Sequence, residues 1–297
     1  MIQSRIVAAT WLCLALALPA AAQTTAPLAF DVASVKPNKS TDAPDSNFPL
    51  GPGDAYTPNG GYFRATNFPL SSYIGFAYRI MGDQAQNLLN QLPAWVREER
   101  FDIQARVAGN PGKNEMRLMM RTLLAERFKF AIHEEEHQAS VLALVVAKEG
   151  KLGPQIQQHP SDTPCPKDAP PSEVSPDPRF PLLCGGFLGM QSSAPGLTRM
   201  GARDVTMDFM AKGFSGPNSA GRPVVDRTGL TGRWDFNLEF SSAEIKGPQP
   251  PGAEAPMDRP GPTFEEALSK QLGLKLVSQK TAVKVLILDH VEHLTEN

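Results

Sequence analysis

Phe101, Ile103, Ala105 and Val107 alternate with Asp102, Gln104 and Arg106, the period of two that marks a half-buried strand. Upstream of them, Tyr62-Phe63-Arg64-Ala65 reads as a short strand ending at Asn67, which is placed to cap a helix carrying Leu70, Tyr73, Ile74 and Ala77 at helical spacing. Downstream, past the turn at Gly109-Asn110-Pro111-Gly112, the residues Met116, Met119, Met120, Leu123 and Leu124 form one apolar face of a second helix. Two strands are predicted next, over 128–132 and 141–146, joined by the charged run from His133 to His137 as a solvated hairpin turn.

The same order then recurs. Ala202-Arg203-Asp204-Val205 matches Ala65-Thr66-Asn67-Phe68, with Asp204 in the capping place and Met207, Met210 and Ala211 on the helix behind it. Arg233-Trp234-Asp235-Phe236 repeats Arg100-Phe101-Asp102-Ile103. Thr263 caps a helix with Phe264, Ala267, Leu268 and Leu272, Gly273 ends it, Leu274-Lys275-Leu276 echoes Phe128-Lys129-Phe130, and a strand over 283–288 closes the set. The expectation is an α+β fold of two tandem β-α-β-α-β-β modules with mixed sheets, a duplication of about 60–149 in 196–293. The corresponding organisation is a leader at 1–22, a strand and arm at 23–59, a first module at 60–153, a Pro-rich loop at 154–195, and a second module at 196–297 with a mobile insertion at 242–262.

The amino terminus changes the picture of where this fold works. Arg5, an apolar run from Ile6 to Leu18, and small residues at 20 and 22 form a three-part secretory signal with an A-x-A site before Gln23. The run is too short to span a bilayer, which needs roughly 20 residues, so an exported chain with no membrane span is expected, periplasmic or secreted. The 297-residue chain carries a formal net charge of −2, and losing Arg5 makes it more acidic, so nothing calls for nucleic acid. Two cysteines stay behind the leader, Cys165 and Cys184, both in the Pro-rich loop. In an oxidising compartment they most simply pair; a metal pair or two free thiols are the alternatives, and neither finds partners at ligand spacing.

Candidate chemistry is sparse. His133-Glu134-Glu135-Glu136-His137 satisfies H-E-x-x-H, but the alternating Phe128, Phe130 and Ile132 predict an extended chain, where positions four apart lie roughly 13 Å from each other and cannot share one zinc. Gly213-Phe214-Ser215-Gly216 has its second glycine one place early for a nucleophile elbow. No catalytic residue, metal ligand or cofactor is assigned. The most suggestive polar segment is Asp226-Arg227-Thr228-Gly229-Leu230-Thr231-Gly232-Arg233, which either presents Asp226, Arg227 and Arg233 to a ligand or makes a turn with a local ion pair.

Phe30-Asp31-Val32-Ala33-Ser34-Val35-Lys36-Pro37-Asn38, Glu99-Arg100-Phe101-Asp102-Ile103, Leu124-Ala125-Glu126-Arg127-Phe128-Lys129, the segment from Arg222 to Gly232, and Leu288-Asp289-His290-Val291-Glu292 resemble successive blocks of the soil-associated exported family of bacteria, whose function is uncharacterised. The resemblance implies an exported protein of a type abundant in soil bacteria, with similar domains fused behind membrane metallopeptidases of the antibiotic-sensor kind. It carries no catalytic residue. The expected role is a binding or protein-interaction module of the cell envelope with an unidentified envelope protein or ligand as partner. The other reading is a hydrolase whose site is built from loops. A deep pocket with perturbed titratable groups would favour the hydrolase, and an exposed edge strand or shallow apolar patch would favour the module.

Overall fold

The computed structural model describes residues 27–54, 56, 58–160, 177–216, 219–241 and 260–294. The leader at 1–22, Cys165 and most of the insertion at 242–262 lie outside the described residues. In chain order the elements are β1 (Val32–Asn38), β2 (Asp45–Ser46), β3 (Tyr62–Pro69), α1 (Leu70–Tyr78), α2 (Asp83–Gln91), α3 (Ala94–Glu98), β4 (Arg100–Arg106), α4 (Lys113–Phe128) and β5 (Ala131–Val146). They continue with β6 (Ile156–Gln158), β7 (Phe187–Met190), β8 (Leu197–Val205), α5 (Met207–Phe214), β9 (Val224–Asp226), β10 (Trp234–Ser241), α6 (Phe264–Ala267) and β11 (Leu274–His290). A π-helical turn, Leu268–Leu272, extends α6 up to Gly273. The class is α+β. No helix among the described residues is long and apolar enough to cross a membrane.

Two four-stranded sheets carry the two halves, ordered β1-β4-β3-β2 and β6-β10-β8-β7. Every pairing within them is antiparallel. Only the third sheet, β11-β5-β9, is mixed, because β9 runs parallel to β5. The strands β6 and β7 come from the stretch read as a Pro-rich loop; at three and four residues they are too short to show a periodicity. The first sheet alternates buried and less buried positions along β4, whereas β10 of the second is buried on both faces, its polar Asp235, Asn237 and Ser241 included. Phe63, Phe101, Ile103, Met116, Met120 and Leu124 belong to the first core, and Val205, Met210, Phe214, Phe236, Phe240 and Leu268 to the second. Phe101 is 1% exposed and Trp234 7%, so both aromatic rings of the repeated motif are inside.

Two expectations are corrected at the strand ends. Asn67 and Asp204 cap nothing: Pro69 and Thr206 are the N-caps of α1 and α5, and only Thr206 accepts a side-chain bond, from the Phe209 N–H. Asn67 and Asp204 instead sit in β-bulges, at φ 61° and 53°, where the ladder slips between Ala65 and Phe68 and between Trp234 and Phe236. An Asn or Asp tolerates the left-handed conformation that such a bulge demands.

The hairpin expected around His133 to His137 does not exist either, nor the break after Leu276. β5 is one strand of 16 residues and β11 one strand of 17, and they pair antiparallel along their whole length. Charged side chains stand out of this ribbon while one edge of its backbone bonds the opposite strand, so polarity at 133–137 marks solvent exposure and not a turn. Each strand follows a helix ended by a left-handed residue, Lys129 before β5 and Gly273 before β11. Gln138 is nine residues beyond the first cap and Ala282 nine beyond the second, and these two are paired. The ribbon is thus related to itself by a local two-fold axis at its middle.

Candidate functional site

Between the two halves, over the middle of the ribbon, lies a cleft of about 790 Å³. One wall comes from the end of α1 and the start of α2, the other from α5 and β9, and Ala282 to Lys284 of β11 line it as well. Its charges are mostly matched. Arg79 pairs with Asp54 at 3.0 Å, Lys212 with Asp208 at 2.8 Å, and Lys284 with Glu134 at 2.7 Å. Asp83, the first residue of α2, is the exception in its electrostatics. Burial raises its pKa above the ordinary value, opposed by its own N–H and that of Gln84, by the Ser215 hydroxyl and by Lys212.

Of the residues singled out from the sequence, Arg233 reaches this cleft, and its guanidinium holds the Asp204 carboxylate at 2.7 Å and the Asp204 carbonyl. Asp226 and Arg227 are spent on a turn. The Asp226 carboxylate accepts from the Thr228 N–H and hydroxyl, both at 2.8 Å, while Arg227 donates its N–H to the Leu144 carbonyl and its guanidinium to the Asp226 carbonyl. Cys184 is buried at 2% exposure, and its expected partner Cys165 lies outside the described residues.

The H-E-x-x-H segment forms a solvated patch on one face of β5. His133 Nε2 and His137 Nε2 each meet one oxygen of Glu135, at 3.1 and 2.7 Å, and His133 Nδ1 meets Asp289 of β11 at 2.7 Å. The bonds to Glu135 and Asp289 raise the His133 pKa, and those to His137 and His133 lower that of Glu135. Among the described residues no group of three His, Cys, Asp or Glu side chains is disposed to hold a metal ion.

The two bulges hold the polar constellation that the sequence motif hid. Asp102 Oδ1 accepts from the Asn67 N–H at 2.9 Å and the Asn38 amide at 2.7 Å; Asp235 Oδ1 accepts from the Asp204 N–H at 3.0 Å and lies 2.7 Å from His159 Nδ1. Arg100 donates to the Asn67 carbonyl, as Arg233 does to that of Asp204. Asp235 is 1% exposed. The motif Arg-aromatic-Asp is therefore a lock on a bulge, and its spacing in the sequence was visible while its purpose was not.

The architecture defines an α+β protein of two antiparallel four-stranded sheets bridged by a long ribbon, with a charged cleft at the bridge. The chain belongs to the family described as a protein of unknown function (DUF3738), whose model matches residues 71–291. Neither a curated protein nor a solved structure matches it.

Proposed function

We propose that the protein is an exported binding module of the cell envelope that takes its ligand in the cleft over the ribbon. The observation that carries this reading is the outer strand edge of the ribbon, which lies beside this cleft of about 790 Å³ with cations and carboxylates side by side on its walls. Such a wall suits an extended polar segment of a partner. The outer edge of β11 over 275–283 and that of β5 over 131–141 have no ladder partner among the described residues, so a peptide could add to either by backbone bonding. The test is capture from the source's envelope fraction on the immobilised full exported chain and on the charge-reversed double variant Arg79→Glu, Lys212→Glu. A set of captured species lost in the variant supports the reading; an identical set on both surfaces, or none above a blank surface, overturns it.

The same reading includes cleavage before Gln23 and a bridge between Cys165 and Cys184, which would close a loop worth on the order of 3 kcal/mol. Exported protein should begin at Gln23 by intact mass and show no free thiol when denatured without reductant. The tandem duplication is part of it too, supported by the shared strand order, the paired bulges and the local two-fold axis of the ribbon.

A second reading, a hydrolase, is favoured by one observation: Asp83, which lines the cleft and bonds the buried Ser215 hydroxyl behind it, has a raised pKa. Turnover of simple esters or peptides that Asp83→Asn abolishes would establish it in place of the binding module.

A further inference from the structure

The backbone of β11 has a regular parity. Its even-numbered residues turn their N–H and C=O away from β5: the Leu286 carbonyl and the Leu288 N–H go to Gln91, and the Lys284 carbonyl accepts from Gln84 at 3.4 Å. The ladder with β5 runs without a register shift from Leu274 to Leu288, so Leu276, Ser278, Lys280 and Ala282 turn the same groups outward. None of these main-chain groups has a partner among the described residues. The matching edge of β5, at Glu134, Glu136, Gln138 and Ser140, is open too.

The two edges differ in charge. From Ala131 to Val146, β5 carries Glu134, Glu135 and Glu136 and no lysine or arginine; from Leu274 to Leu288, β11 carries Lys275, Lys280 and Lys284 and no acid. The acids of β5 are largely spent, Glu135 on His133 and His137, and Glu134 on Lys284 at 2.7 Å. On β11, Lys275 and Lys280 face Val145 and Ser140 across the ribbon, and neither makes an ion pair among the described residues. Both are exposed, and Val277 between them is 43% exposed. Ala282 and Lys284, on the same face of the strand as Lys280, line the cleft, so the open edge runs outward from it.

We propose that the β11 edge from Leu276 to Ala282 binds an extended acidic segment of a partner protein, which adds to the ribbon as a further strand. The inference rests on the binding-module reading and narrows it to one edge and one charge. Main-chain bonds to the outward N–H and C=O groups supply affinity, and the side chains beside them set the choice of segment. In antiparallel register, an acid opposite Lys280, an apolar residue opposite Val277 and an acid opposite Lys275 fall at the first, fourth and sixth places of the segment. A basic segment meets like charge at both ends of this edge, and an acidic one meets Glu134 and Glu136 on the edge of β5.

Two blocked peptides, Glu-Thr-Thr-Val-Thr-Glu and Lys-Thr-Thr-Val-Thr-Lys, titrated into the full exported chain and followed by amide NMR, test this. The acidic peptide should shift the N–H signals of Leu276, Ser278, Lys280 and Ala282 saturably and leave those of Glu134 to Ser140 in place. It should bind about tenfold tighter than the basic peptide at low salt, a preference that shrinks in about 0.5 M salt. Lys275→Glu with Lys280→Glu should invert the preference. Ser278→Pro removes an outward N–H that the ladder with β5 does not use, a change an edge strand tolerates, and should abolish binding of the acidic peptide. No saturable shift with the acidic peptide, equal binding of the two peptides, or undiminished binding of the acidic one to either variant overturns the proposal. Shifts of the same signals that grow with protein concentration alone would seat the acidic β5 edge of a second copy there and overturn it as well. Should Ser278→Pro fail to fold, the wild-type shift pattern and the charge-reversed variant decide. Species captured by the wild type, lost with Arg79→Glu, Lys212→Glu and retained by Ser278→Pro would keep the binding module and refute the added strand.

Discussion

A single carboxylate decides each bulge. In a regular strand Asp102 and Asp235 would point to water opposite the buried ring before them and tolerate alanine. The bulge turns a backbone N–H toward each, and Asp235 goes further, meeting His159 in a site where the two side chains are 2% and 7% exposed. Replacing Asp235 by alanine leaves the Asp204 N–H and the His159 ring without their acceptor, so a loss of about 3 kcal/mol is expected in urea denaturation. Asp102→Ala, at a half-exposed site, should cost about 1 kcal/mol. Equal and negligible losses would mean that the bulges hold without the lock. His133 offers a pH-dependent counterpart. Its pKa is raised in the folded chain, so its pairing stabilises the protein fully below the unfolded value of 6.5 and is lost as pH rises through the higher folded value. Proton NMR should show His133 titrating above 6.5, and Glu135→Gln should move it back down; a His133 unmoved by that change would contradict the pairing.

At the scale of elements, the two ends of the ribbon are finished by different means with the same geometry. On β5 the edge at Leu142 and Leu144 is completed by backbone: the Leu142 N–H donates to Pro223 and the Leu144 carbonyl accepts from Arg227. On β11 the edge at Leu286 and Leu288 is completed by one side chain. Gln91 of α2 donates its amide to the Leu286 carbonyl at 2.9 Å and accepts the Leu288 N–H at 2.9 Å. A primary amide carries the same donor and acceptor as a peptide group, and here it takes the place of a strand. Gln91→Leu is expected to cost about 1 to 2 kcal/mol and to speed amide exchange at Leu288 selectively, which hydrogen-exchange NMR would read. Unchanged exchange at Leu288 would mean that the bond is not held in solution.

Across the whole molecule, the halves are joined by more than the ribbon. A Cβ on Gly53 would overlap the Gly185 carbonyl, and one on Gly82 the Lys212 carbonyl, so the two halves touch backbone to backbone. Gly82 also has φ 61°, the region that glycine enters freely. Gly53→Ala has no flexible neighbour to push aside and is expected to lower the melting temperature by several degrees, the effect of about 1 to 3 kcal/mol in a domain of this size. An unchanged melting temperature would place the joint elsewhere.

Short-range chemistry was legible in the chain. The alternation at Phe101 to Val107, the apolar face of α4, the Thr263 cap and the glycine stop at Gly273 follow from the periods of strand and helix and from local capping, and all of them stand in the fold. The α+β class followed from the same signals. Long-range pairing was not legible. The charged run from His133 to His137 looks like a turn to any local reading, and only β11, about 150 residues away, makes it part of a strand by pairing along one edge of it. Asn67 and Asp204 look like caps until the slipped ladder with β4 and β10 forces them into a bulge. The cleft belongs to neither half; it exists because glycines let two cores approach until backbones touch, and no spacing along one chain records that distance.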